Sequence, residues 1–404
     1  MCKKHRPINC IVPPHVLEEM LKSQDKRVAD AALRTLIVSE RIRGEREILG
    51  PVRSAVFANG AGQKRRSIHD ADHVRLPPSL LPGRLVRSEG QAAGSDGSAN
   101  RAYDGLGATY DFYKNVLGRN SIDGHGMRLV ATVHFGQRFN NAFWNGSQMV
   151  FGDGDNIVFS DFTRSLDVIA HELTHGVTES MAGLEYHNQS GALNESFSDV
   201  FGSLVKQYAS NPKQNVDQAD WLVGKDIMGP EFTGKALRSL KDPGSAYRND
   251  PNLGSDPQPK HMNDFVNLPD TDDGDWGGVH INSGIPNHAF YLVAKSLGGY
   301  AWEQAGVIWF EALRQLFPLA TFQNCADTTA QIAAAKFGTG STQHDAVIDA
   351  WDRVGITITP PQPVLATTER AAAASNGSQT VELKEQLVAI SEQLRVTAEQ
   401  LSVH

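Results

Sequence analysis

The chain has 404 residues, of which 40% are hydrophobic and 21% are charged, and its formal net charge is -8. This composition is ordinary for a soluble protein, and the length is sufficient for two or three domains with an ample core. The negative charge argues against a nucleic-acid partner, and no stretch is long and apolar enough to cross a membrane.

The amino terminus gives no sign of a secretory signal. It begins with positive charge at Lys3 and Lys4, but the apolar stretch of about 7 to 15 residues that such a signal requires does not follow. We therefore expect a cytoplasmic location, and export by a route that needs no such signal stays open. The cysteines, Cys2, Cys10 and Cys325, make no even framework, so structural disulfides are not expected.

Residues 12–49 are highly charged and are predicted to be helical. Their apolar residues recur at helical spacing, at Ala29, Ala32, Leu33, Leu36 and Ile37. Between Gly50 and Ser67, glycine, proline and basic residues replace this pattern. We therefore treat residues 1–52 as a separate amino-terminal segment, whose simplest role is that of a helical cap.

Two halves with different patterns follow. Residues 53–185 are predicted to be rich in β-strands, with an alternating strand at 129–135 and a helix near 102–116. Residues 186–357 are predicted to be helical, with helices at 195–208, 285–297, 301–316 and 328–336. The predicted fold class is α+β, with a helix around His171 joining the halves and a cleft between them.

Residues 358–404 have the composition of a linker followed by a short heptad repeat. Proline, alanine and serine dominate at first. The apolar residues at a and d spacing are Leu383, Leu387, Ile390, Leu394 and Leu401. A helix of this length is marginal alone, so residues 381–401 are expected either to associate with a partner surface, such as a second copy, or to be disordered.

The run His171-Glu-Leu-Thr-His175 indicates the chemistry of this chain. Two histidines four residues apart project from one face of a helix, and Glu172 lies beside the first. Catalytic zinc takes three protein ligands, commonly two histidines and a glutamate, and keeps one position for water. Glu195, 20 residues after His175, is the predicted third ligand. Glu172 is the predicted base that accepts a proton from the zinc-bound water.

The histidine pair alone is a weak signal, because a solvated helix face can carry it by chance. The apolar residues before His171 favour a buried helix instead. Asp199 strengthens the signal, since it follows Glu195 by four residues and has the position of an acceptor behind a ligand histidine. Together these residues predict a zinc site.

These residues resemble the thermolysin-like family of zinc metallopeptidases, whose zinc helix contains HELTH and whose next ligand helix contains NExxSD. The similarity covers about residues 70–357 and includes further motifs in the family's order. These are AYDGLGATYDFY from Ala102, VHFG from Val133, NNAFWNG from Asn140, MVFGDGD from Met149 and GGVHINSGIPNHAFYL from Gly277. The resemblance implies a two-domain neutral endopeptidase in which His171, His175 and Glu195 bind zinc.

The resemblance also implies the remaining catalytic groups. Glu172 is the base, and His280 with Tyr186 stabilises the oxyanion of the tetrahedral intermediate. Asp275, five residues before His280, orients that imidazole. Without the family, Asp275 and His280 would be an ordinary charge pair in a loop. An inactive module that grips peptides without cutting them is the alternative, and the loss of such groups would favour it.

The substrate-binding residues follow from the same comparison. Asn141, Ala142 and Trp144 are implied to hold an extended peptide by main-chain hydrogen bonds, and Arg238 to bind a substrate carbonyl. An apolar specificity pocket predicts cleavage on the amino side of bulky hydrophobic residues. Its implied lining residues, for which core packing is the alternative, are Phe159, Phe162, Val168, Val223 and Leu237.

One departure from the family concerns calcium. The chain keeps Asp167 and Asp220 of the family's carboxylate cluster, but has Lys206 and Lys225 at other matching positions. Calcium needs six to eight oxygen ligands, so we expect this site to be absent, while calcium binding elsewhere stays open. The lysines either neutralise the remaining carboxylates or are ordinary surface residues.

Residues 1–52 resemble the short propeptide of the protealysin-like branch of this family. Its motif Pro-Pro-x-x-Leu is matched by Pro13, Pro14 and Leu17. The resemblance implies a zymogen whose propeptide inhibits the peptidase and is removed by self-processing. A segment stiffened by proline can lie across a cleft at small entropic cost. Cys10 is either an ordinary thiol or a thiolate that blocks the zinc.

Overall fold

The computed structural model describes residues 9–57, 63–74 and 81–359. The heptads at 381–401 and nearly all of the linker before them lie outside the described residues, so the association predicted for them stays a prediction. None of the helices in these ranges has the length and apolar character that a membrane span needs.

The amino-terminal segment forms a short strand followed by two helices. These are β1 (Asn9–Cys10), α1 (Pro14–Leu21) and α2 (Lys26–Phe57). Pro13 is extended, with φ -65° and ψ 154°, and Pro14 begins α1, where a missing amide proton breaks no helical hydrogen bond. The buried residues of α1 include Val16, Leu17 and Met20.

Helix α2 extends further than the sequence pattern predicts. The pattern changes at Gly50, yet the helix continues to Phe57 and includes Pro51. Glycine and proline lower helix propensity without forbidding a helix. The change of pattern at Gly50 therefore predicted the carboxy-terminal end of α2 too early in the chain. The predicted segment boundary at residue 52 therefore falls inside a helix.

The first half of the peptidase region is built on a six-stranded sheet. Its strands after β1 are β2 (Arg66–Asp70), β3 (Arg84–Ser88), β4 (Leu129–Val133), β5 (Ala142–Trp144) and β6 (Met149–Phe151). The order is β1-β5-β6-β4-β2-β3, with β2, β4 and β6 parallel to one another. Strand β1 pairs antiparallel with β5, so the amino-terminal segment supplies an edge of the sheet.

The second half is mainly helical. Its helices are α5 (Asn188–Ala209), α6 (Asp275–Asn282), α7 (Gly284–Leu297), α8 (Ala305–Leu313), α9 (Phe322–Phe337) and α10 (Thr342–Arg353), whereas α3 (Gly97–Leu117) and α4 (Leu166–Ser180) belong to the first half. A two-stranded ribbon joins β7 (Leu222–Val223) to β8 (Arg238–Ser239). Helix α9 begins earlier than predicted, because Thr321 and Asn324 form a capping box. The α+β prediction is confirmed.

Helices α4 and α5 lie against each other at the centre of the molecule. Gly202 on α5 faces the backbone of α4, and a Cβ at this position would lie 2.6 Å from Asp167 O. A larger residue would therefore push the two helices apart. This close approach brings the side chain of Glu195 on α5 to the histidines of α4.

Candidate active site

The three predicted metal ligands converge between α4 and α5. His171, His175 and Glu195 are completely buried. The Nε2 atoms of the two histidines are 3.0 Å apart, and each lies 3.4 Å from an oxygen of Glu195. Ligand atoms of one tetrahedral zinc are about 3.3 Å apart, given metal–ligand distances of about 2.0–2.2 Å.

The hydrogen bonding around these atoms also fits a metal. Within the described part of the chain, Glu195 Oε2 is buried without a hydrogen-bond partner. The two facing imidazole nitrogens can satisfy each other only if one carries a proton and the other does not. A cation among them would satisfy all three groups at once. The residues present therefore fit a metal ion.

Each imidazole is held from behind by a polar side chain. His171 Nδ1 lies 2.9 Å from Asp199 Oδ1, and His175 Nδ1 lies 2.8 Å from Asn194 Oδ1. Such partners fix the ring orientation and leave Nε2 free for a metal. The sequence indicated the position of Asp199, but the contact of Asn194 was missed. Its signal was its place directly before Glu195, on the same turn of α5.

Asp199 connects the metal site to the substrate cleft. Its carboxylate accepts two hydrogen bonds from Arg238, at 2.8 and 2.9 Å, and one from Asn287 at 2.9 Å. Burial alone would raise the pKa of Asp199, but the Arg238 guanidinium and His171 hold it at about 2. The group is therefore a buried carboxylate whose charge is balanced by its neighbours.

Glu172 lies between the metal site and strand β5. Its Oε2 accepts a hydrogen bond of 3.0 Å from the main-chain amide of Trp144. Its Oε1 is buried and, among the described residues, has no hydrogen-bond partner. Burial raises the pKa of Glu172 well above its usual value. One oxygen is thus fixed and the other can face a water molecule.

His280 and Tyr186 contact each other beside Glu195. Tyr186 Oη lies 3.0 Å from His280 Nε2 and donates a hydrogen bond to Glu195 Oε1. The Asp275 carboxylate accepts from both the backbone amide of His280, at 2.8 Å, and Nδ1, at 2.5 Å. Asp275 therefore fixes the ring with Nε2 directed towards the cleft.

The backbone before His280 is strained to make these contacts. Asp275 and Trp276 have φ values of 51° and 48°, and Gly277 and Gly278 follow at 83° and 76°. Non-glycine residues seldom adopt this region, and such strain concentrates at functional sites. The fold maintains it here to place the Asp275 carboxylate under the His280 ring.

The cleft contains the chain's own amino-terminal segment. Ile11 N donates to Ala142 O at 3.3 Å, and Val12 N donates to Asn141 Oδ1 at 3.0 Å. Asn141 Nδ2 returns a hydrogen bond of 3.1 Å to Val12 O. Asn141, which was predicted to bind through its main chain, uses its side-chain amide instead. Together with the main chain of β5 it holds residues 9–12 as an added strand.

Two cationic or polar groups bind the carbonyls of this segment. Arg238 Nη1 donates to Ile11 O at 2.9 Å, and His280 Nε2 lies 3.0 Å from Cys10 O. The Cys10–Ile11 peptide thus lies against His280 and Arg238. Trp144, by contrast, pairs with Asn9 in register but uses its amide to hold Glu172.

The residues of the predicted specificity pocket are buried in the core. Its five residues are at most 2% exposed and belong to the same hydrophobic cluster as Ile11, Val12 and Leu17. They are Phe159, Phe162, Val168, Val223 and Leu237. Leu237 also lines a small cavity with Pro13 and Val16. Of the predicted lining residues, Leu237 therefore lies beside the amino-terminal segment.

Cys10 does not direct its thiol at the metal ligands. The side chain packs with Phe143, Phe135 and Val38 in a separate hydrophobic cluster, and Sγ lies 3.6 Å from Val12 O. The carbonyl oxygen of Cys10 contacts His280, while its side chain lies among these apolar residues. The thiolate-block alternative does not fit this arrangement.

His15 is a component of this region that the sequence did not single out. It is partly buried, lines the small cavity next to Arg238 and His280, and its Nδ1 atom is buried without a hydrogen-bond partner among the described residues. Burial lowers the pKa of His15 to about 4. Nothing local in the sequence signals this, because the burial arises from docking α1 on the peptidase.

At the position of the family's calcium site, which we expected to be absent from this chain, a lysine contacts the remaining carboxylates. Lys206 Nζ lies 3.0 Å from Asp167 Oδ2, 3.1 Å from Asp220 Oδ1 and 3.1 Å from Leu222 O. Lys225 lies further away, at 3.9 Å from Asp220. The ammonium of Lys206 therefore occupies the space between the oxygens.

Comparison with known proteins identifies related chains. Residues 61–179 match the family model of the thermolysin metallopeptidase catalytic domain, and residues 182–356 match that of its alpha-helical domain. An extracellular metalloprotease from Pectobacterium carotovorum subsp. carotovorum is 47% identical over 88% of this chain and 98% of that protein. Protease PrtS from Photorhabdus sp. (strain Az29) is 44% identical over 86% of this chain and 92% of that protein.

A solved structure is similar over nearly the same range. It is the precursor of protealysin, a metalloproteinase from Serratia proteamaculans, with 45% identity and a TM-score of 0.76. The match covers 86% of this chain and 100% of that chain.

The predicted cytoplasmic location is wrong. The Pectobacterium relative, which matches over almost its whole length, is named an extracellular metalloprotease. The prediction depended on the lack of an apolar stretch after Lys3 and Lys4. The lack of such a stretch argues only against export that uses a signal peptide of this kind.

Proposed function

Because this chain belongs to the thermolysin family and is a metalloendopeptidase, we propose that it is a zinc enzyme made as a self-inhibited zymogen. The observation that carries the proposal is the Cys10–Ile11 peptide lying across His280, Arg238 and β5. Residues 9–12 bind in the manner of a substrate strand. The zinc ligands are His171, His175 and Glu195.

Glu172 acts on the attacking water beside the three residues that would hold zinc, His171, His175 and Glu195. Zinc, when bound, lowers the pKa of its water towards about 7 and polarises the substrate carbonyl. Glu172 Oε1, which is free of other hydrogen bonds among the described residues, accepts the proton of that water. The Trp144 amide keeps the other oxygen in place. Glu172 then delivers the proton to the leaving amine.

His280 and Tyr186 stabilise the oxyanion. His280 Nε2 already lies 3.0 Å from the Cys10 carbonyl oxygen, which marks where a substrate carbonyl would sit. Asp275 positions the ring, and Tyr186 Oη lies next to Nε2. Removing one such donor usually lowers the rate about 100-fold to 1000-fold.

Specificity follows from the pocket beside this carbonyl. The residue after the scissile bond is represented by Ile11, which is completely buried in the cluster that contains Phe159 and Leu237. An apolar pocket of this kind favours bulky hydrophobic residues but discriminates only modestly per methylene. We infer cleavage on the amino side of such residues.

The boundary of the propeptide follows the same logic. The cleft binds peptides as extended strands, whereas α2 is helical as far as Phe57. A cut at residue 52 therefore requires the end of α2 to unwind. We place self-processing between residues 50 and 67, at the carboxy-terminal end of this helix or beyond it.

The zymogen proposal is tested with Glu172→Gln, which keeps the shape of the side chain. The wild-type chain is expected to cut itself between residues 50 and 67 and then to digest an unstructured protein into products that begin with bulky hydrophobic residues. Glu172→Gln and a sample with a zinc chelator should do neither, because the base or the metal is missing. Intact-mass and product-terminus analysis over time provides the measurement.

Glu303→Gln is the matched control, because this glutamate is exposed and remote from the site. It should behave as the wild type. A wild-type chain that binds zinc, has lost its propeptide to an added protease and still cuts nothing would instead support the peptide-binding module.

We also propose that Lys206 replaces calcium between Asp167 and Asp220. The Lys206→Glu variant restores an oxygen donor, so calcium is expected to raise the midpoint of thermal unfolding in this variant and not in the wild type. Differential scanning calorimetry with calcium or EGTA measures this. A calcium-dependent shift in the wild type that Asp220→Asn removes would contradict the proposal.

A further inference from the structure

A second group of metal-binding side chains lies at one edge of the sheet. Strands β2, β4 and β6 are parallel neighbours, so their carboxyl ends meet at the same edge. His73 follows β2, His134 follows β4 and Asp153 follows β6. Sites for ligands commonly form outside the carboxyl ends of adjacent strands.

The three side chains point towards one another. His134 Nδ1 lies 2.9 Å and 3.0 Å from the two oxygens of Asp153, and His73 Nδ1 lies 3.0 Å from Asp153 Oδ2. All three ligand atoms lie within 4.8 Å of one another. Two imidazole nitrogens and a carboxylate therefore face a common point.

The ring of His134 is oriented from behind, as in many metal sites. Its Nε2 lies 3.2 Å from Asp96 Oδ2, while the other oxygen of Asp96 accepts hydrogen bonds from Ser98 N and Ala99 N. Asp96 is thereby anchored as the amino-terminal cap of α3. A ligand histidine typically donates its second ring N–H to such a carboxylate.

The backbone at both histidines is strained. His73 has φ 57° and His134 has φ 56°, which is the left-handed region that non-glycine residues seldom occupy. The His73 amide donates to the His134 carbonyl at 2.9 Å, so the two loops fix each other. Strain of this kind is retained where the side-chain position matters.

The group opens to solvent through a cavity. The cavity has a volume of about 500 Å³ and is bounded by loop residues and by the side of α2 that carries Arg27, Asp30 and Arg34. The side chains of His73, His134 and Asp153 are 56%, 20% and 21% exposed. An ion can therefore enter, and its remaining coordination position would face this space.

We propose that His73, His134 and Asp153 bind a second divalent transition-metal ion, such as Zn²⁺, separate from the site between α4 and α5. Imidazole with carboxylate suits zinc, copper or nickel rather than magnesium or calcium. All three ligands lie outside the propeptide, so the site belongs to both the precursor and the mature chain. The bound ion ties together the ends of β2, β4 and β6, and from the end of β4 the chain continues to β5.

The test uses the full-length chain carrying Glu172→Gln, which prevents self-digestion. Each protein is dialysed against micromolar free Zn²⁺, and bound zinc is measured by inductively coupled plasma mass spectrometry. His73→Ala and His134→Ala are each expected to bind one equivalent less than the parent. His125→Ala, which removes an exposed histidine elsewhere, should bind as much as the parent.

His73→Ala is the decisive variant, because the side chain is more than half exposed and its removal should not disturb folding. Asp96→Asn keeps the helix cap and weakens binding of this equivalent by about 10-fold to 100-fold. If the parent and His73→Ala bind the same number of zinc equivalents, the proposal is overturned, and the three side chains form only an ion-pair cluster. Circular dichroism spectra that match the parent show that each variant is folded.

Discussion

Replacing Asp199 with asparagine is expected to lower the free energy of unfolding by about 3–5 kcal/mol and to weaken metal binding by about 10-fold to 100-fold. The carboxylate is completely buried and is shared by His171, Arg238 and Asn287. Asparagine has nearly the same shape, so the main change is the loss of one negative charge. The buried Arg238 guanidinium is then left without its counter-charge.

The two effects have separate origins and are measured separately. Urea unfolding of the metal-free Glu172→Gln chain, with and without Asp199→Asn, gives the change in stability. Competition with a zinc-binding dye gives the change in affinity, which arises because Asp199 no longer orients His171. The pKa of about 2 means that the wild-type carboxylate stays charged at all pH values above the acid range.

Asp242 provides the matched control for Asp199. It forms a 2.8 Å ion pair with Lys260, but both side chains are about half exposed. Asp242→Asn is expected to change stability by less than about 1 kcal/mol, as exposed ion pairs generally do. If Asp199→Asn were as mild as Asp242→Asn, the balance of charge between Asp199 and Arg238 would not stabilise the fold.

Acid is expected to release the amino-terminal segment through His15. In the docked segment the pKa of His15 is about 4, because burial opposes its charge, against an ordinary value of 6.5. The released state therefore binds more protons between these values, and docking weakens as pH falls from 6.5 towards 4. The loss is about 2 kcal/mol at pH 5, or about 30-fold, and about 3 kcal/mol at pH 4.

The charged groups around His15 do not reverse this direction. The carboxylates of Asp275 and Glu19 favour the charged imidazole, while His280 and Arg238 oppose it, and burial is the largest influence. The neutral ring is thus the form that the docked segment accommodates.

Hydrogen exchange provides the measurement. In the Glu172→Gln chain, amide exchange of residues 11–21, corrected for the intrinsic effect of pH, should show opening that rises about 20-fold to 30-fold from pH 7 to pH 5. His15→Leu has no titrating group at this position and should lose most of this increase. If His15→Leu and its parent show the same increase in exchange at low pH, then titrating groups other than His15 cause the release.

The metal site was predictable because its signals are local. Helix periodicity places His171 and His175 on one face, and the same periodicity places Asp199 one turn after Glu195. The exact approach of α4 to α5 was not predictable, since it depends on Gly202 meeting the backbone of the other helix.

The contacts of the amino-terminal segment were not predictable in detail because they are non-local. Pairing of Cys10 with Phe143 joins residues more than 130 positions apart, and no local pattern sets that register. The motif containing Pro13 pointed to the cleft only through family resemblance. The partial burial of His15 likewise depends on contacts with residues distant in sequence, such as Arg238 and His280.

In the proposed zymogen, the added strand β1 also determines how inhibition depends on dilution. While residues 9–12 belong to the same chain as the cleft, they act as a tethered ligand, whose effective concentration is about millimolar and independent of how much protein is present. After one cut, the same segment becomes a second molecule, and its occupancy falls with its concentration. The uncut precursor is therefore inactive even in dilute solution. The cleaved product is active when dilute, and its released segment inhibits it again when the protein is concentrated.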